Sequence, residues 1–199
     1  EEMRKFESIN RSNLAIVYKY LNFYPKAHQQ IEQALAIDRE LEDNISLAIN
    51  TNNRGEIYFD QKKYDLALKD FQTAAQLLVS NFDSDDVFQN PIIQNAIIQD
   101  KISLVEIMNN KAKALKQISS ENRYQQLAIS TYDSLFVLIN LMQNEVAADE
   151  SKRFLAAKAK TIFEAELNDS NNLFHVIFYN DKPIGYSKII CNVGQNNIP

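Results

Sequence analysis

The chain has 199 residues, 45% of them hydrophobic and 24% charged, with a formal net charge of -5; this is the composition of an ordinary folded protein rather than of a disordered or membrane-embedded one. The acidic balance lacks the concentrated basic face that phosphate-backbone binding needs, which sets nucleic acid aside. A single cysteine, Cys191, excludes an internal disulfide and a multi-thiolate zinc site, and His28 and His175 stand far apart without metal-ligand spacing, so no metal and no cofactor is expected.

Only three glycines and four prolines punctuate the chain, so helix should dominate. No run of about eighteen apolar residues occurs, and Glu1, Glu2, Met3, Arg4 and Lys5 form no apolar leader core. A cytoplasmic protein without a membrane partner is expected. Because the sequence opens on Glu1 rather than on Met, a removed leader or a longer parent chain stays open.

In chain order, the spacing predicts helices over 5–22 and 25–41, with Pro25 at the tolerated first helical position, then over 44–60 and 64–80. In the fourth, Tyr64, Leu68, Phe71, Ala75 and Leu78 recur at steps of four, three, four and three, the apolar stripe of a packed helix. Residues 81–89 read as a link, after which Asn90 caps a helix with Pro91 in its first turn, running to about Ile118. The carboxylate pairs Asp85 with Asp86 and Asp149 with Glu150 fall near expected helix starts and suit the helix dipole better than acid-base chemistry. A later helix covers about 147–166. From Asn168 the helical period stops: Leu173–Tyr179 and Ile184–Cys191 are β-rich runs around the turn Asn180–Pro183, a hairpin. A lone hairpin is at best marginally stable, so it must pack on the last helix, pair with another chain or belong to a domain cut short.

The helices repeat. Leu14, Ala15, Tyr18, Ala27, Ile31 and Ala34 return as Arg54, Gly55, Tyr58, Ala67, Phe71 and Ala74, each 40 residues on. A looser third copy holds Lys111, Ala112 and Leu115, then Ala128 and Tyr132; it runs 13 residues from Leu115 to Ala128 against 9 in the earlier copies, so Ser119–Asn122 reads as an insertion. These stretches resemble the tetratricopeptide repeat (TPR) pattern L-G-x2-Y…A-x3-F, a helix-turn-helix unit. Small residues at Ala15 and Gly55 let the first helix approach its partner while Tyr18 and Tyr58 fill the space between helices; Ala27 and Ala67 allow the second helix to cross tightly, and Ile31 and Phe71 fill the core one turn later. The copies depart from the pattern at Arg54, where Leu is usual, at Arg11 and Thr51, where Trp is usual, and in a period of 40 against roughly 34. Arg54 therefore needs a partner. The resemblance implies an all-α TPR-like superhelix of helical hairpins over 1–167, with repeats at about 8–41, 48–81 and 105–142 and a terminal helix at 147–166; the β-rich runs add a short C-terminal β-hairpin tail in 168–199, whole or part of a truncated domain.

Leu127–Asp133 together with Glu150–Lys160 resembles the repeat region that precedes CHAT (caspase-like) domains in bacteria, which implies a sensor or docking arm. The chain carries no caspase-like His/Cys domain of its own. The run Phe174–Ile190, with Ile184-Gly185-Tyr186, is similar to two central strands of GNAT-type acetyltransferases, but no glycine-rich pyrophosphate turn follows it.

In TPR proteins the first helix of each repeat lines a groove. Asparagines recur there: Asn13, then Asn52 and Asn53, then Asn109 and Asn110, with Lys113 and Lys116 on the same face as Tyr20 and Phe59. An amide offers a donor and an acceptor, so such a ladder suits an extended peptide backbone. The same residues also fit a solvated polar face, with Tyr20 and Phe59 as packing between repeats. The positions around Ser12, Ile16 and Glu56 do not match the basic clamp that some TPR proteins use for a C-terminal carboxylate. The expectation is a non-enzymatic scaffold with a protein or peptide partner; the alternatives are a truncated GNAT-type acetyltransferase fused to the repeats and a structural module that self-associates through the hairpin edge.

Overall fold

The computed structural model describes residues 1–118, 122–145, 157 and 159–162, and the backbone of 174–179 and 182–188. The described part is mostly helical, in the order α1 (Glu2–Tyr20), α2 (Tyr24–Glu40), α3 (Asn44–Asp60), α4 (Tyr64–Leu78), α5 (Lys101–Ile118) and α6 (Asn122–Glu145). The chain divides into two units, Glu1–Val137 and Leu138–Pro199.

Local chemistry accounts for the helix ends. Asp43 accepts from the Ser46 amide at 3.1 Å and so starts α3, and Pro25 lies in the first turn of α2, where its missing N–H costs nothing. The first three helices stop on one device. Asn22, Glu42 and Lys62 adopt φ of 59°, 53° and 61°. The amides that follow them, of Phe23, Asp43 and Lys63, reach back to the carbonyls of Tyr18, Asp38 and Tyr58 at 2.9, 3.0 and 2.9 Å. This is the Schellman closure, and none of its left-handed residues is glycine. The Tyr18 and Phe23 rings, 6.5 Å apart, add the apolar contact that accompanies it.

In the first unit α1 packs on α2, α3 on α4, α2 on α3 and α4 on α5, while α1 also touches α3 and α3 touches α5. Two helical hairpins thus stack, with α5 continuing the series. Ala15, Ala27, Ile31, Leu35 and Ile57 form a buried cluster against which Tyr18, Tyr24 and Leu47 lean. Ala67, Phe71 and Ala74 are fully buried in the second hairpin, as are Ala112, Leu115 and Ala128 further on, with Tyr132 at 1% exposure. Gly55 sits where a Cβ would lie 2.6 Å from Phe71 Cε1, so only a hydrogen fits there.

Arg54 has found its partners. Its guanidinium donates to both Asp70 oxygens, at 2.9 and 2.7 Å, and to Glu32 at 2.8 Å. Burial raises the Asp70 carboxyl against the lowering by Arg54, while the bond to Asp70 raises the Arg54 guanidinium; in a pair this buried the attraction is largely offset by desolvation, and what it supplies is the register of α3 on α4. Removing Arg54 alone strands the carboxylate. Arg54→Leu, the residue of the first copy at Leu14, is expected to cost about 2 kcal/mol in urea unfolding. Adding Asp70→Gln, after Gln30 of the first copy, should recover most of it; strictly additive losses would refute the pairing.

The helix expected to begin at Asn90 does not. Residues 79–100 run irregularly, with an isolated bridge between Val79 and Ile98, and α5 begins at Lys101. Asp100 is the better cap: its carboxylate accepts from the amides of Ile102 and Ser103 at 2.9 and 3.2 Å and from the Ser103 hydroxyl at 2.7 Å. The Asn90 side chain is engaged elsewhere, and Pro91 is buried outside any helix. Asp85 and Asp86 likewise start no helix; Asp86 closes a turn on the Phe88 amide at 3.0 Å, and Asp85 accepts from Gln76 at 3.1 Å.

In the second unit Leu138, Ile139 and Met142 of α6 are buried, as are Ala159 and Ile162 in the helical stretch 159–162. The backbone of β1 (Phe174–Tyr179) pairs antiparallel with β2 (Lys182–Lys188), Phe174 opposite Lys188 and Tyr179 opposite Lys182, with an irregularity at Ile177/Phe178. Most of the expected helix 147–166, with Asp149 and Glu150, and the rest of the tail, with Cys191, lie outside the described residues.

Candidate functional site

The contacts of α3 with α1 and with α5 bring the recurring asparagines into line. Asn53 Nδ2 donates to the Ser12 hydroxyl at 3.0 Å, joining α3 to α1. Asn110 Nδ2 donates to Asn52 Oδ1 at 3.1 Å and to Glu56 Oε1 at 3.0 Å, joining α5 to α3. The other Glu56 oxygen accepts from Lys19. The amides therefore form a polar strip that binds neighbouring first helices together.

The remaining expected groove residues divide. Asn13 and Lys113 are exposed and Lys116 is half-buried with a partner of its own. Asn109 is 8% exposed, and its Oδ1 is buried without a hydrogen-bond partner. Tyr20 stands 76% exposed beneath the Lys19 ammonium, 5.0 Å from the ring centre, whereas Phe59 packs edge-on to Tyr64 at 5.3 Å. Apolar side chains flank the strip: Ile9, Ile45, Ile49 and Ile102 are 37–50% exposed. Ile9 and Ile49 hold one repeat position, and Ile45 and Ile102 another. A regular isoleucine left in water beside amides is a surface suited to contact.

A second polar centre lies where α4, α5 and the irregular link meet. Lys111 is 2% exposed. Its ammonium donates to Gln72 Oε1 at 2.7 Å, the Gln89 carbonyl at 2.6 Å and Asn90 Oδ1 at 3.0 Å. Gln72 in turn donates to the carbonyls of Ser84 and Asp86 at 2.6 and 3.1 Å, and Asn90 Nδ2 donates to the Thr131 hydroxyl at 3.0 Å. Burial pushes Lys111 down to about 7, opposed by the charge of Asp86. A lysine so shifted invites a catalytic reading. As an ammonium its three N–H groups meet three acceptors, and as a neutral amine two N–H groups remain for them, so in either state it acts as a clamp on residues 84–90.

Sequence reasoning passed over this clamp, although a signal existed. Lys111 holds the repeat position of Arg54, while the position of its counter-ion Asp70 holds Thr131, so a cation is placed where its carboxylate is missing. A third network, Asp38 accepting from the Ser8 hydroxyl and from Asn50 Nδ2 at 2.6 Å, joins α1, α2 and α3 and left no such mark.

Among the described residues no group of three or more His, Cys, Asp or Glu side chains is placed to hold a metal ion, and no helix is long and apolar enough to cross a membrane. No protein-family model matches the chain, and no curated protein sequence matches it.

Proposed function

We propose that the chain is a TPR-type helical repeat scaffold that takes a peptide or partner domain along the face shared by α1, α3 and α5. The observation that carries this reading is a polar strip of Ser12, Asn52, Asn53 and Asn110 that runs across three helices next to the exposed Ile9 and Ile49, with Ile45 and Ile102 one turn further toward the helix starts. Asn110 spends both Nδ2 hydrogens and Asn53 one of its two between helices, so the amides offer a peptide backbone chiefly their carbonyl oxygens, each bond contributing roughly 0.5 to 1.5 kcal/mol. The isoleucines supply apolar contact, worth about 1.5 kcal/mol or more for each one fully covered. Lys113 adds a cation at one end. The polar groups set into the strip are amides, the Ser12 hydroxyl and Glu56, the last held by Lys19 and Asn110.

The test is to pan a library of random displayed peptides against the immobilised chain and to measure the enriched peptides by calorimetry. Ile49→Asp, at a position already 37% exposed, is expected to weaken them about tenfold or more without altering helical content. A library that yields no enriched peptide, or affinities that Ile49→Asp leaves unchanged, sinks the assignment.

A further inference from the structure

Across the face of α1, α3 and α5 an acceptor recurs once per helix. Asn13, Asn53 and Asn110 hold a single repeat position; Asn13 is exposed and the other two are partly buried. Asn53 and Asn110 spend Nδ2 hydrogens on the neighbouring helix. Among the described residues no hydrogen bond reaches the side-chain oxygen of any of the three, which leaves three open acceptors in a row. Isoleucines accompany them. Ile9 and Ile49 lie one turn before Asn13 and Asn53, at 50% and 37% exposure; the third copy holds Glu106 there, and its isoleucine, Ile102, sits one turn earlier, in line with Ile45.

The helices set the interval of this motif. The bonds from Asn53 to Ser12 and from Asn110 to Asn52, at 3.0 and 3.1 Å, hold the three side by side. Helices in such contact stand roughly 8–10 Å apart, so a ligand lying across them must present one backbone N–H and one apolar side chain about every 9 Å. Only one regular backbone conformation keeps that interval. A β-strand returns to the same face every two residues, about 6.6 Å, or every four, about 13 Å, and misses it either way. An α-helix repeats at about 5.4 Å and closes its own N–H groups, so it has no donors for the oxygens. Polyproline II has three residues per turn at about 3.1 Å each, which brings a side chain back every 9.3 Å or so, and its backbone makes no internal hydrogen bonds.

Building on the binding reading of this face, we infer that its ligand is a peptide segment in the polyproline II conformation, with an apolar residue that keeps its N–H at every third place. Proline suits the two places between, because it sets the conformation in advance and no donor is needed there. The match is closest across α1 and α3, where isoleucine and asparagine stand one turn apart; at α5 the acceptor remains and the apolar contact shifts toward Ile102.

The probe is a labelled peptide of four Leu-Pro-Pro triplets, its affinity for the full chain read by fluorescence anisotropy. One control has the same residues with the leucines at intervals of two and four; the other N-methylates each leucine and so removes every N–H. The triplet peptide is expected to bind at least tenfold more tightly than either. Ile49→Asp should weaken it about tenfold and Asn13→Ala roughly two- to tenfold, both with unchanged circular dichroism. Failure of the triplet peptide to bind, equal binding of either control, or indifference to Ile49→Asp overturns the inference. The scaffold reading falls separately, by the panning experiment: enriched peptides that answer to Ile49→Asp but lack a three-residue apolar period leave the face a binding site and remove the polyproline assignment alone.

Discussion

Unfolding free energy is expected to climb as pH rises from about 7 to about 10.5, and most of the climb should vanish in Lys111→Met. Burial lowers the folded lysine from 10.5 to about 7. Between those limits the unfolded chain holds a proton that the folded chain has released, so stability increases with pH there. Below about 7 both states are protonated and the slope disappears. The slope cannot exceed about 1.4 kcal/mol per pH unit, and the full window amounts to a few kcal/mol. Other lysines and tyrosines titrate in the same range, so the quantity to read is the difference between parent and Lys111→Met in urea unfolding at successive pH values. Parallel curves for the two would show that Lys111 keeps an ordinary affinity for its proton. Supplying the missing counter-ion by Thr131→Asp should move the window upward, since Asn90 already touches both positions, at 3.0 Å from Lys111 and 3.0 Å from Thr131.

Gly55→Leu is expected to cost about 4 kcal/mol or more, in the range where a single substitution has a specific cause. The first carbon alone would lie 2.6 and 2.9 Å from two Phe71 ring atoms and 3.2 Å from Asp70 Cβ. Neither neighbour can yield easily: Phe71 is wholly buried, and Asp70 is gripped by Arg54. Gly55→Ala separates crowding from bulk. Helix propensity favours alanine by about 1 kcal/mol, yet crowding should prevail and leave a net loss of about 1 kcal/mol. Trimming the ring in Gly55→Ala with Phe71→Leu should return the alanine variant toward its propensity gain. A Gly55→Ala protein that melts at or above the parent temperature would contradict the close approach of α3 to α4.

The first four helices were legible because two independent signals agreed. Small residues at Ala15, Gly55, Ala27 and Ala67 marked close crossings, and the apolar stripe of α4 fixed its inward face. The helix boundaries came within a few residues, except that α1 starts at Glu2 rather than near residue 5. The segment after α4 misled for a physical reason. Asn90 with Pro91 has the chemistry of a helix start, but a cap works only if its side chain is free, and a lysine 21 residues further on had claimed it. Nothing local to Asn90 reveals that. The asparagine recurrence was legible as a pattern, whereas its first use, as bonds from helix to helix, depends on α1, α3 and α5 lying side by side. Buried Asp38 shows the limit most plainly: its partners Ser8 and Asn50 are 30 and 12 residues away, and no short-range spacing announces a triad of that kind.

The bridge between Val79 and Ile98 has a consequence for how this chain tolerates change in length. Ser80 donates to the Ile97 carbonyl at 3.0 Å and Gln99 to that of Leu78 at 2.9 Å, so the intervening stretch is clasped at its neck, directly below the helices it joins. The seating of α5 on α4 is held by that neck together with the Lys111–Gln72 bond and its hold on residues 84–90, which leaves the stretch around Asn95 as the part free to lengthen. Doubling a flexible loop closed in this way costs only about 0.6 kcal/mol. Foreign residues spliced in at the exposed Asn95 can dangle from the neck like a flag from a pole while the helical stack behind it stays put.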